Sequence, residues 1–202
     1  MAKLFNYIKV AYGMYFKRRL IFFYYINNRI FENVELDSGV NFSIIKNVDE
    51  YLDSCNKFKI PPSRHYLNRF ANNATFYFTH NNSDYLSYGW AITNCDSFCL
   101  EYIHLSMKIG NSAFILFDFN TNENYRKLGH YTKLLSRIIQ ENSDYALLGY
   151  TAPSNPGSIK GIVNSGFTTL GTYRRSEHSK FFAALNENGV QISKSRKKYL
   201  TK

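Results

Sequence analysis
Apolar and polar positions along the chain repeat with two periods. Leu4, Ile8, Ala11, Tyr12 and Tyr15 lie three and four apart, which predicts a helix over 3–17. Residues 20–26 form an unbroken apolar run, aromatic and branched, that suits either a strand or a continuation of that helix. From residue 40 the pattern alternates between the two periods. Strands are predicted at 40–45, 74–79, 85–93, 98–105 and 113–119. Helices are predicted at 49–58 and, with Ser63 as N-cap, on to about residue 72. The polar residues Asn81, Asn82, Ser83 and Asp84 predict a hairpin turn. The best-defined helix covers 128–139: Leu128, Tyr131, Leu134, Leu135, Ile138 and Ile139 make one stripe, with Lys127, Lys133, Arg137 and Glu141 on the wet side. A strand at 145–150 follows. After it comes a short helix with Asn155 as N-cap, Pro156 at its first position and Gly166 at its end. Strands at 167–173 and 180–185 complete the pattern. Helices alternating with strands, hairpins among them, predict an α/β to α+β fold with a mixed sheet.

Composition narrows this little, and charge placement narrows it more. At 202 residues, 45% apolar and 17% aromatic, the chain is long enough for one globular domain with a sizeable core. The run at 20–26 falls far short of the about 20 residues of a spanning helix, and no small-residue cleavage site follows it, so neither a membrane span nor a secretory leader is expected. Three cysteines, Cys55, Cys95 and Cys99, match no zinc or disulfide spacing, and no metal site is expected. They read as reduced thiols of a cytoplasmic protein. The net charge of +10 sits at the two ends. Lys3, Lys9, Lys17, Arg18, Arg19 and Arg29 precede the first acid, and Lys194, Arg196, Lys197, Lys198 and Lys202 close the chain with no acid among them. The body between them is near neutral. This divides the chain into a basic, aromatic extension (1–39), a domain (40–187) and a basic tail (188–202). A nucleic-acid surface would carry its bases on a folded face, so none is expected. Basic ends beside aromatic residues suit solvated termini or peripheral contact with the inner face of a membrane.

One unit carries candidate chemistry. The predicted strand with Phe117, Asp118 and Phe119 runs through a loop into Arg126, Lys127, Leu128, Gly129, His130 and Tyr131 at the head of the long helix. A strand that feeds a Gly-containing turn into a helix presents unpaired N–H groups at the positive end of the helix dipole, which suits phosphate. Arg126 and Lys127 add charge-assisted donors. The spacing is neither that of dinucleotide folds nor that of the Gly-Lys-Ser/Thr phosphate loop.

Residues 113–136 resemble motif A of the GCN5-related N-acetyltransferase (GNAT) superfamily, whose signature is Arg/Gln-x-x-Gly-x-Gly/Ala. Arg126 and Gly129 match it, and Tyr131 stands at the last, normally small, position. Asn155 to Ser158, followed by Gly166 and Phe167, is similar to motif B, in which an Asn opens a helix that closes on Gly-Phe. The resemblance implies a mostly antiparallel central sheet flanked by helices, with two splayed parallel strands at the cofactor site. It implies acetyl-CoA, or another acyl-CoA, as donor. The backbone from Arg126 through Lys127, Leu128, Gly129 and His130 to Tyr131 would hold the pyrophosphate. Phe119 and Thr121 would face the pantetheine arm, with Asn155 and Ser158 meeting it from the next helix. Tyr131 would point into the core or narrow the phosphate loop. His130 is expected to face solvent or phosphate.

The reaction needs a proton acceptor for the amine, a donor to polarise the carbonyl and an acid for the departing thiolate. Family members often supply the acid as a Tyr at the place of Ile162. Asp118 is the candidate catalytic carboxylate, at the place where sugar-amine acetyltransferases of the superfamily are acidic; the alternative is an Asp that pairs with a base or caps the loop. Glu101, His104, Tyr173 and His178 are weaker candidates. The implied activity is transfer of an acetyl group to the amine of an amino sugar, nucleotide-linked or glycan-borne, as in polysaccharide biosynthesis. The alternatives are a protein or peptide amine, or a catalytically degenerate binding module. A phosphate-bearing sugar acceptor, membrane contact through 1–39 and a homodimer are the partners compatible with this reading.

Overall fold
The computed structural model describes residues 19–25, 35–100, 105–174, 180–186 and 189–195. Nine strands of the described residues form one sheet: β1 (Arg19–Tyr25), β2 (Asn41–Ile45), β3 (Ala74–His80), β4 (Tyr85–Leu100), β5 (Leu105–Thr121), β6 (Ala146–Thr151), β7 (Thr168–Arg174), β8 (Lys180–Asn186) and β9 (Gly189–Ser195). Among the described residues four helices accompany them: α1 (Val48–Phe58), α2 (Tyr66–Ala71), α3 (His130–Glu141) and α4 (Pro156–Asn164). The order across the sheet is β2-β3-β4-β5-β6-β1-β7, and β8 pairs with the lower half of β5 and with β9. The pairing is antiparallel except for β5 with β6 and β5 with β8. This is the mixed sheet that the pattern predicts, mostly antiparallel as the resemblance implies.

Strand alternation puts apolar side chains on both faces, and the helices divide between them. On one face Tyr51, Cys55 and Phe58 of α1, with Tyr66 and Phe70 of α2, pack on Phe76, Phe78 and Trp90. On the other, Leu134, Leu135, Ile138 and Ile139 of α3 and Ile162 of α4 pack on Tyr77, Leu116, Leu147 and Phe167. The stripe predicted for α3 is therefore buried as expected, except that Leu128 precedes the helix and is 59% exposed.

Three elements differ from the sequence pattern. The undecided apolar run is strand β1, held between β6 and β7 and antiparallel to both. Leu20, Phe22, Phe23 and Tyr25 are buried, so over 19–25 the supposed extension is interior to the sheet. Those aromatic side chains are spent on the core and offer nothing to a lipid surface. The predicted strands at 85–93, 98–105 and 113–119 merge into two long ones, β4 and β5, which bend at register shifts after Tyr88, Thr93 and Cys95. The bend returns the far end of the pair onto the sheet, with the Phe98 ring 5.2 Å from that of Phe117. Finally, β9 takes up residues that charge alone assigns to a solvated tail. The helix predicted at 3–17 and the side chains of Glu101, His104, Tyr173 and His178 lie outside the described residues. Among the described residues no helix is long and apolar enough to cross a membrane.

Candidate functional site
The site grows from the place where β5 and β6 part. Their parallel ladder runs from Ala113 opposite Ala146 to Leu116 opposite Gly149 and stops there. Yet β5 continues to Thr121, paired to β4, and β6 continues to Thr151, paired to β1. Past Leu116 each strand keeps only its outer partner, so the two diverge and leave backbone groups of β5 without a ladder partner on the β6 side.

A bulge shapes β5 at this point. Trp90 pairs with Phe117 and Tyr88 with Asn120, so Gly89 alone stands opposite both Asp118 and Phe119. Asp118 adopts a left-handed φ of 54°. The Phe119 ring lies across Gly89, where a Cβ would stand 2.3 Å from it, so no larger residue fits there unless the ring moves. The bulge turns Asp118 outward, with half its side chain exposed.

Asp118 is not alone. Its Oδ2 meets Nη2 of Arg69 on α2 at 2.7 Å. The guanidinium is nearly buried, its Cζ 4.8 Å from the Trp90 ring and 5.2 Å from that of Phe117. These rings fix the plane and direction of the charge. Nη1 has no hydrogen-bond partner among the described residues. Sequence reasoning missed Arg69 because the helix that carries it lies far away in the chain; of the two structural arrangements open for Asp118, pairing with a base or capping the loop, it is the first that is found.

The loop between β5 and α3 is anchored by Asn122, also unforeseen. Its N–H donates to the Leu86 carbonyl at 3.0 Å and its Nδ2 to the Tyr85 carbonyl at 3.0 Å. Its Oδ1 accepts from the Asn124 N–H and caps a short 3-10 turn, Glu123–Tyr125. The chain then passes Lys127 at φ 69° and Gly129 at φ 82°, both left-handed. Nothing lies within 4 Å of a Cβ built on Gly129, so conformation rather than crowding calls for glycine there. The first intrahelical bond of α3 runs from the Lys133 N–H to the Gly129 carbonyl, which leaves the earlier N–H groups pointing out of the helix end. Lys127, Leu128 and Gly129 are exposed and open to a ligand. The side chain of Arg126 is also exposed, and its Nε donates to the Thr121 carbonyl.

The remaining predicted residues divide. Phe119, Tyr131 and Ser158 come together: the Tyr131 ring stands edge-on to Phe119 at 5.6 Å, and its hydroxyl lies 3.4 Å from Ser158 Oγ. Tyr131 thus points inward, between α3 and α4. Asn155 caps α4, its Oδ1 accepting from the Ser158 N–H at 3.2 Å. Thr121 Oγ1 lies 3.2 Å from Ser87 Oγ. His130 departs from expectation. It is 7% exposed, against the Tyr125 ring, and burial lowers its pKa below the usual 6.5. Asp37, ion-paired with Lys133, stands near enough to oppose that shift in part. Ile162 is buried in the core between α4 and the sheet, so its place presents no side chain to the cleft.

This architecture has known counterparts. An acetyltransferase of the GNAT family from Colwellia psychrerythraea superposes with a TM-score of 0.51 at 14% identity, over 75% of this chain and 53% of that one. A GCN5-related N-acetyltransferase-like protein from Streptococcus suis gives 0.49 at 12% identity, over 83% and 65%. A tandem GNAT protein from the clavulanic acid biosynthesis pathway gives 0.48 at 12% identity, over 87% and 53%. The chain spans about half the length of the first of these. No family profile matches the sequence, and no curated protein matches it. The protein has the fold of the GNAT acetyltransferases.

Proposed function
We propose that the protein is an acyl-CoA-dependent N-acyltransferase. The observation that carries this is the parting of β5 and β6 beside the Asp118 bulge, with β5 leading through the loop anchored by Asn122 into the open turn at the head of α3. The turn fits the phosphate end of such a donor: Gly129 leaves room for close approach, the first N–H groups of α3 point outward, and Arg126 and Lys127 bring positive charge. When bound, acyl-CoA supplies a thioester carbonyl activated toward amines. Phe119, Thr121, Asn155 and Ser158 would line its arm. The unladdered edge of β5 past Leu116 would offer N–H groups to the carbonyl oxygen. Asp118 would hold the incoming amine and accept its proton, with Arg69 keeping the carboxylate in one orientation.

Acetyl transfer to the amine of an amino sugar, nucleotide-linked or glycan-borne, is the acceptor reading this supports best. A half-exposed carboxylate suits a small polar amine, and the basic ends suit an acceptor that carries phosphate. A protein or peptide amine would use the same centre. Ile162 favours a second reading, a binding module that has lost the chemistry, because its place offers no proton donor.

Thermal unfolding with a large excess of acetyl-CoA tests the donor. Occupancy at about 100 times the dissociation constant adds about 2.7 kcal/mol, a shift of several degrees. Turnover against a panel of amino sugars and peptides then tests the acceptor. A shift without turnover favours the binding module, and no shift with any acyl-CoA removes the donor.

A further inference from the structure
We infer that the Tyr131 ring controls entry of the donor's arm: it sits between β5 and α4, and it must leave that seat when the arm comes in. This rests on the acyl-CoA reading above. The ring lies between Phe119 on one side and Ser158 and Gly161 on the other, the two walls assigned to the arm. It fills the place of a missing side chain, because a Cβ on Gly161 would stand 2.3 Å from the ring. The ring packs against the core, but its directional contacts are few. The contact with Phe119 is a single edge-to-face pair, and the hydroxyl is 3.4 Å from Ser158 Oγ, longer than a good O–H···O bond. Burial pushes the phenol up to about 12, so it stays neutral and no charge pins it.

A ligand that binds only when the ring is displaced has its affinity reduced by the fraction of molecules in that state. The phosphate end of the donor escapes this reduction. It meets Lys127, Leu128 and Gly129, which are exposed. Donor affinity and phosphate-end affinity should therefore respond differently to the ring.

Isothermal titration of the full chain with coenzyme A and with adenosine 3′,5′-bisphosphate tests this. Tyr131→Ala removes the ring, while Gly161→Ala keeps it and places a methyl group in its seat. Both variants should bind coenzyme A about tenfold more tightly, with bisphosphate affinity unchanged. Unchanged or weaker coenzyme A binding in both variants would overturn the inference while leaving the donor reading intact. Failure of both ligands to bind the parent and the variants would remove the donor reading and the inference with it. If the parent is silent and the variants bind, both stand. If Tyr131→Ala does not fold, Gly161→Ala carries the test: tighter coenzyme A binding supports the inference, and unchanged or weaker binding overturns it.

Discussion

Arg69 and Asp118 join α2 to the β5 bulge through a 2.7 Å ion pair in which the cation is nearly buried and the anion half exposed. The pair is therefore asymmetric. Exposure on the Asp118 side holds its Coulombic worth to at most about 1 kcal/mol, whereas the guanidinium is also packed between Trp90 and Phe117. Asp118→Asn should cost little in urea denaturation, abolish turnover and leave acetyl-CoA binding as it was. Unchanged turnover would take Asp118 out of the mechanism. Arg69→Ala should cost about 1–3 kcal/mol, since it removes the packing as well as the charge.

Gly89 and Phe119 form a second dependent pair. A methyl group on Gly89 meets the ring at 2.3 Å, so Gly89→Ala should destabilise the protein by about 1–3 kcal/mol. Adding Phe119→Leu should return part of that loss. Urea midpoints of the two single variants and the double variant check it; simple additivity would mean that the ring moves aside freely.

At Gly129 the constraint is conformational. With open space around the Cβ but φ at 82°, Gly129→Ala should cost about 1 kcal/mol and Gly129→Asn less, because Asn tolerates the left-handed region. Equal stability of the two variants would show that the turn relaxes to another conformation.

His130 gives the protein a stability step with pH. Because burial lowers its folded pKa, the unfolded chain takes up the proton first as pH falls below about 6.5. Its contribution is fully present above that value, is lost as pH falls toward the folded pKa, and changes no further below it. Asp37 acts at lower pH: the hydrogen bond and charge of Lys133 lower its pKa, so its contribution is present above 3.8 and lost at more acid pH. Denaturation midpoints between pH 8 and pH 5 should fall further in the parent protein than in His130→Gln.

The elements that the sequence made legible are those whose signals are local. The stripe of α3 from Tyr131 onward, the cap of α4 by Asn155 and the hairpin turn at Asn81 each depend on neighbours a few residues away, and each is found where periodicity and turn chemistry place it. What stayed hidden depends on partners distant in the chain. Residues 20–26 read as helix or strand until β6 and β7 are there to pair with. Ser63 reads as an N-cap, and its Oγ does accept from the His65 N–H at 3.3 Å, but it serves a turn ahead of α2, which starts at Tyr66 with His65 at its cap. The turn after β5 announced itself through Arg126 and Gly129. Arg69 and Gly89 gave no signal, since their roles exist only once α2 and β4 are laid against β5.

The position of β1 bears on how the molecule comes into being. Its neighbours are contributed by 147–151 and 168–174, near the other end of the chain. During synthesis an apolar strand therefore emerges early and has nothing to pair with until most of the protein has followed. Contacts this far apart make folding slow, and the waiting segment, Leu20 to Tyr25, is one that chaperones would bind and that would aggregate if synthesis stalled. A fragment trimmed to the more obvious domain, beginning at residue 40, would leave a slot between β6 and β7 open to any passing strand.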